Sequence, residues 1–194
     1  MRKNLAVVLL FFVLGACSMN MPETEVYSLN LPNWDNTREP RSDASLAVIV
    51  TSPRYLMQPY IAYRTSPYQL SVSRYSKWES SPDEMVRQAF DDKLSSGGLF
   101  KNVRASNFVP RGFYSLRINL KQFERLDEGN ASFGEIAFNV DLFSPEGKEL
   151  YHDTVVKKVK LEDRSFLGLA KALSSGLAEG VEEVNASVGK SLKQ

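Results

Sequence analysis

Three consecutive runs in the second half of the chain alternate between apolar and polar residues, and that period of two leaves little choice of structure. Tyr114, Leu116, Ile118 and Leu120 alternate with Ser115, Arg117 and Asn119. Ile136, Phe138, Val140 and Leu142 alternate with Ala137, Asn139 and Asp141. Tyr151, Asp153, Val155, Lys157 and Val159 continue with weaker alternation. Successive side chains of a strand point to opposite faces, so each run predicts a strand with one covered and one wetter face. The links carry DEGN (Asp127 to Asn130) and SPEGKE (Ser144 to Glu149), both turn-forming. Together the runs predict a three-stranded antiparallel meander.

An apolar sheet face needs a cover, and the chain supplies amphipathic segments. Leu167, Ala170, Leu173, Leu177, Val181, Val184, Val188 and Leu192 fall three or four apart. They predict a helix of about seven turns, capped by Asp163 or Ser165. Gly168, Gly176, Gly180 and Gly189 each weaken it by about 1 kcal/mol against alanine in a helix interior, so packing must hold it. A second helix starts at Ser81, with Pro82 at its first position and Asp83 and Glu84 in its first turn. Its stripe is Met85, Val86, Ala89, Phe90 and Leu94, and Gly97 and Gly98 end it. LAVIVTS (Leu46 to Ser52) reads as a strand buried on both faces and LFKNVRAS (Leu99 to Ser106) as a further short strand. With the helix between them they resemble a βαβ unit, with residues 54–79 inserted. EVYSLNL (Glu25 to Leu31) predicts a short strand, and residues 32–45 a polar loop.

The N-terminus is of another kind. Arg2 and Lys3 precede an unbroken apolar and glycine run from Leu5 to Ala16. That is the layout of a secretory signal peptide, too short for the roughly 20 residues a bilayer span needs. Leu14-Gly15-Ala16-Cys17 resembles the lipobox of bacterial lipoproteins, whose cysteine is acylated and whose peptide is cut just before it. The resemblance implies a signal peptide over 1–16 and a single periplasmic domain over 17–194. It also implies a covalent N-acyl and S-diacylglycerol lipid on Cys17 and no other cofactor. Cys17 is the one cysteine, so it forms no disulfide within the chain. Ser18 stands where, in enteric sorting, an aspartate would retain the protein in the inner membrane. Its absence resembles an outer-membrane destination, with the domain facing the periplasm.

Loss of Arg2 and Lys3 lowers the 24 basic residues to 22, against 23 acidic ones, a net charge of −1. That argues against a nucleic-acid partner, which needs a strong basic patch. It also removes a whole-chain electrostatic case for anionic lipid head groups. The 178 residues after the signal suit one domain with a proper core. His152 is the only histidine, and its neighbours Glu149 and Asp153 resemble no catalytic motif. Nucleotide-loop, metal and nucleophile-elbow patterns are absent from the sequence. No residue set stands out as an active site, and the chain reads as a non-enzyme.

Five of the eight tyrosines, Tyr55, Tyr60, Tyr63, Tyr68 and Tyr75, fall together with Trp78 in one segment. Such side chains combine contact area with a polar tip and suit an interface; they also suit the cover of a sheet within the monomer. Tyr60, Tyr63, Arg64 and Trp78 are the partner-binding candidates.

Residues 52–81 resemble the signature of the ABC-type transport auxiliary lipoproteins. The matching positions are Tyr55, Leu56, Pro59, Ile61, Tyr63, Arg64, Trp78 and Glu79, with VYSL near the start of the mature chain. A proline closely following the glutamate is usual; here the run reads WESSP. The resemblance implies a three-layer α/β/α domain similar to the N-terminal domain of TolB-like proteins, with a mixed, largely antiparallel sheet and a long C-terminal helix. It implies a non-enzymatic auxiliary role in intermembrane lipid transport of the mammalian-cell-entry (MCE) type. In the paraquat-inducible branch, the lipoprotein at the outer membrane works with an MCE tube protein anchored in the inner membrane. Here that would mean docking the tube and supporting envelope integrity. A tube has rotational symmetry, so a homo-oligomeric ring is expected beside it. The alternatives are a periplasmic carrier holding a lipid in its own cavity, which needs a wide unfilled apolar pocket, and a cell-envelope hydrolase.

Overall fold

The structure, a computed structural model, describes residues 22–34 and 39–193. Residues 1–16, expected from the sequence to be a signal peptide, and Cys17 lie outside the described residues. The predicted meander is present as β6 (Tyr114–Glu128), β7 (Ala131–Phe143) and β8 (Glu149–Lys160). Pairing runs from Ser115–Phe143 to Glu128–Ala131 between β6 and β7, and from Phe133–Lys160 to Phe143–Glu149 between β7 and β8.

The second edge of β6 is shared. Its first half pairs in parallel with β2 (Ser45–Thr51), from Leu46–Tyr114 to Thr51–Asn119. Its second half pairs in parallel with β3 (Tyr60–Ser66), from Ala62–Glu124 to Arg64–Leu126. Beyond β2 lies β5 (Asn102–Ala105); beyond β3 lie β4 (Gln69–Trp78) and then β1 (Glu25–Tyr27). The result is one eight-stranded mixed sheet that forks at β6. Residues 54–79, read from sequence only as an insertion, form a 3-10 turn (Arg54–Met57) and the β3–β4 hairpin.

Both helices form where expected, α1 over Pro82–Ser96 and α2 over Phe166–Ser191. Ser165 caps α2 by accepting from the Gly168 N–H at 2.9 Å. The two helices touch each other, and both rest on Phe138 of β7. Phe90 of α1 meets that ring edge-on at 5.6 Å between centroids. From α2, a Cβ added at Gly180 would sit 3.3 Å from the same ring. The α/β class, mixed sheet and long C-terminal helix are those expected, but the layering is two, not the three implied by the resemblance. The large buried side chains of β2, β6 and β7 point to the face that both helices cover, and the core lies there. Leu46, Val48, Leu116, Ile118, Phe138 and Val140 are buried there with Leu94, Leu173 and Val181 from the helices. Among the described residues no helix is long and apolar enough to cross a membrane.

Residues 28–34 cross the outside of the helical layer. The Asn30 N–H donates to Ser174 Oγ at 3.0 Å. Trp34 Nε1 donates to Glu182 Oε1 at 2.9 Å, and Lys93 of α1 pairs with the same carboxylate. This strap ties α1, α2 and the N-terminal segment together.

Candidate functional site

The fork in the sheet makes a problem that the tyrosine segment solves. Between the stretches of β6 claimed by β2 and β3 lie residues 120–123, and the β6–β7 register also slips there. A strand edge without a neighbour leaves backbone groups unpaired. The 3-10 turn sits in this gap. Tyr55 on it reaches the Lys121 carbonyl at 3.2 Å and lies 3.4 Å from Glu124 Oε2. Its single hydroxyl proton can serve either acceptor.

Glu124 has no solvent exposure, yet lies on the sheet face that the helices leave uncovered. Arg64 Nε donates to Glu124 Oε1 at 2.5 Å, and the Arg64 side chain is 24 % exposed. A buried carboxylate needs such a partner, because desolvation of an unpaired charge costs several kcal/mol. Burial, and then the Glu124 charge, push the Tyr55 phenol up to about 12. The bond to Glu124 also raises the Arg64 guanidinium. Glu135 stands directly across from Glu124, and Lys158 is next along the rung. Burial first, with the Lys158 charge opposing, raises the Glu135 carboxyl above its ordinary value.

The four partner-binding candidates do not share one surface. Tyr63 turns to the helix side under Arg125, whose guanidinium lies 5.2 Å from its ring and 5.3 Å from Phe166. Arg125 also donates to the Arg164 carbonyl, so this stack fastens the start of α2 to β3 and β6. Trp78 is 2 % exposed and packs edge-on against Phe123 at 5.6 Å. Its expected place at a partner surface is therefore corrected: it is a core ring, because β4 ends between β1 and the root of β3. Arg64 is engaged by Glu124. Tyr60 alone of the four is exposed, at 40 %, and Met57, Tyr68, Val72 and Tyr75 are the exposed large apolar or aromatic side chains around it in sequence.

Sequence reasoning placed Tyr55 in the tyrosine segment and in the family signature without giving it a partner, and it missed Glu124 and Arg125 as parts of this region. Ser66-Pro67 between two strand-like runs was a readable turn signal for the hairpin. The 69-residue separation of Tyr55 from Glu124 left no local sign of that contact.

His152 is exposed on β8 and its Nδ1 lies 2.5 Å from Asp141 Oδ1, the residue opposite on β7. That hydrogen bond raises the imidazole above its ordinary value. Among the described residues no cluster of three His, Cys, Asp or Glu could hold a metal. A groove of about 710 Å³ lies between residues 28–32 and α2. Ser28, Leu31, Lys171, Ser174, Ala178 and Glu179 line it, and it opens along the surface instead of entering the core.

The model of the ABC-type transport auxiliary lipoprotein component family matches residues 27–185. The chain belongs to that family. No curated protein matches it by sequence. Among solved structures, a Xanthomonas campestris protein is 19 % identical with a TM-score of 0.75, covering 87 % of this chain and 97 % of its own. An uncharacterised protein, also 19 % identical, has a TM-score of 0.67 and covers 86 % of this chain and 99 % of its own. A Chlamydia trachomatis protein, 9 % identical, has a TM-score of 0.50 over 76 % of this chain and 96 % of its own. These likenesses show that the forked sheet with two helices on one face is a shared fold. The family assignment makes the chain a transport auxiliary lipoprotein.

Proposed function

We propose that the protein is a docking element of an MCE-type intermembrane lipid transport system. In this reading the Cys17 lipid anchors it in the outer membrane, and the domain hangs in the periplasm as a ring of like subunits. It holds the end of the MCE tube, supports envelope integrity and performs no catalysis. Membership of the auxiliary family supports a transport role beside other components.

The observation that carries the docking reading is the division of labour in the tyrosine segment. Tyr55, Tyr63, Arg64 and Trp78 build a rigid root, and Tyr60 is presented on it with Met57 beside it. A large, polar-tipped ring on a rigid strand is the pattern of an interface hot spot. A carrier would need an unfilled apolar cavity, and the groove beside α2 is open and lined by Lys171, Glu179 and serines.

Capture of an MCE-domain protein from detergent-solubilised envelopes tests this. The full chain should retain it. Tyr60→Ala should weaken capture about thirtyfold, since a hot-spot ring is worth about 2 kcal/mol and 1.4 kcal/mol is tenfold. Undiminished capture by Tyr60→Ala would move the interface off β3. Cys17→Ala should leave the membrane fraction while still folding, and His152→Ala should behave as the parent.

A further inference from the structure

The near-neutral total charge hides one segregated stretch. From Ser52 to Trp78 there is no aspartate or glutamate, while Arg54, Arg64, Arg74 and Lys77 are all basic. The hairpin at its centre turns at Pro67 and Tyr68, and Tyr68 is 97 % exposed. Val72 and Tyr75 on β4 are exposed as well. A tyrosine standing wholly in water at a hairpin tip adds nothing to this chain's core. Its amphipathic ring suits the boundary between lipid head groups and acyl chains.

A second observation comes from register. β1 lies parallel to β4, with Glu25 opposite Ser76 and Tyr27 opposite Trp78. β4 runs away from the hairpin tip, so β1 followed toward the N-terminus leads back toward it. From Pro22, the first described residue, the five steps back to Cys17 reach at most about 18 Å. Position 17 is therefore tethered within that reach of Pro22, at the end of β1 that faces the Tyr68 tip. Two acids at the end of β6 beside the tip are paired with cations: Asp127 with Arg125 at 3.2 Å and Glu128 with Lys158 at 2.8 Å.

We propose that the β3–β4 tip around Tyr68 seats in the anionic phospholipid surface that receives the Cys17 anchor, with Arg74 supplying charge complementary to the phosphates. The proposal rests on the lipoprotein reading and deepens it. A lipid on a flexible tether leaves the domain free to tumble over the membrane; a second contact at Tyr68 gives it one orientation. The turn between β7 and β8, at the opposite end of the sheet, then points away from the lipid.

The test uses the full lipidated chain in vesicles mixing phosphatidylglycerol with phosphatidylcholine, with the acyl chains brominated or not. A Tyr68→Trp variant places a fluorophore at the tip. The parent chain, whose Trp78 is buried and whose Trp34 lies on the helices, gives the background. The emission added by Tyr68→Trp should fall at least twofold in brominated vesicles. A Phe108→Trp variant, exposed beside the far strand β5, should not respond. Adding Arg74→Glu should reduce the quenching. Co-sedimentation with the vesicles is read in the same samples. A chain that sediments but shows no quenching at position 68 overturns the hairpin contact and leaves the anchor standing. A chain that does not sediment overturns the anchor itself, and the orientation with it. Equal quenching in pure phosphatidylcholine overturns the choice of an anionic surface.

Discussion

Replacing Arg64 by methionine keeps most of the side-chain volume and removes the one cation that, among the described residues, is bonded to the buried Glu124 carboxylate. Breaking a buried ion pair from one side costs about 3–5 kcal/mol, because the remaining charge is desolvated without compensation. Arg64 is partly exposed, so water can enter where its guanidinium was and the loss should fall near the lower end, about 3 kcal/mol. For a chain of this size that is a fall in melting temperature of about 6–12 °C. The single value cannot separate a lost ion pair from lost packing, so the second arm matters. Glu124→Gln puts a neutral amide in the same space, still able to accept from the Tyr55 hydroxyl 3.4 Å away. In the Arg64→Met background it should restore stability, with a coupling on the order of 1–2 kcal/mol. Urea unfolding of the four proteins, as full chains in detergent, gives the cycle. If Arg64→Met costs under about 1 kcal/mol, or if the two losses simply add, Glu124 is not held by Arg64 in the manner argued.

Glu135 should impose a pH dependence with a definite sign. Its carboxyl is raised in the fold, so between the ordinary carboxylate value and the raised one the native state binds the extra proton and stability falls as pH rises. Glu135→Gln removes that penalty; the stability gap between variant and parent should open as pH climbs above about 4.5 and then level off, and a gap that closes instead would reverse the sign. Gly134 lets α2 approach β7, since an added Cβ would lie 3.0 Å from Ala172 Cβ and 3.3 Å from Leu173. Gly134→Val should cost about 1–3 kcal/mol in urea unfolding, and less in an Ala172→Gly background.

How much of this could be read in advance depended on the range of the interactions. The meander was legible because the β6 and β7 alternation is set by one covered face along each strand. The start of α2 was legible because Ser165 acts on a residue three places along. Layering was not, because amphipathic helices show that they have a buried side without showing which sheet face receives it. The glycines of α2 were legible only as helix-weakening residues. In the fold Gly180 faces Phe138 at a distance that a methyl group would crowd, so the helix gives up propensity for close approach to the sheet.

The tyrosine segment shows the same limit at the candidate site. Composition located it, and its burial then divided it. Tyr55 and Arg64 converge on Glu124 from 69 and 60 residues away, and both contacts exist because β6 is longer than either strand that pairs with its second edge. Had β2 and β3 been one continuous strand, β6 would need no 3-10 turn at its middle, and Tyr55 would have no carbonyl to satisfy. The interruption is what turns Leu56 into the core and carries the chain out to Met57 and Tyr60 at the surface. A flaw in the ladder, repaired by one tyrosine and one ion pair, thereby becomes a rigid base for exposed residues. That is why Arg64→Met should lower both stability and partner capture, whereas Tyr60→Ala should lower capture alone. A variant set in which stability and capture fall together at Tyr60 would place that ring in the fold's support and not at its interface.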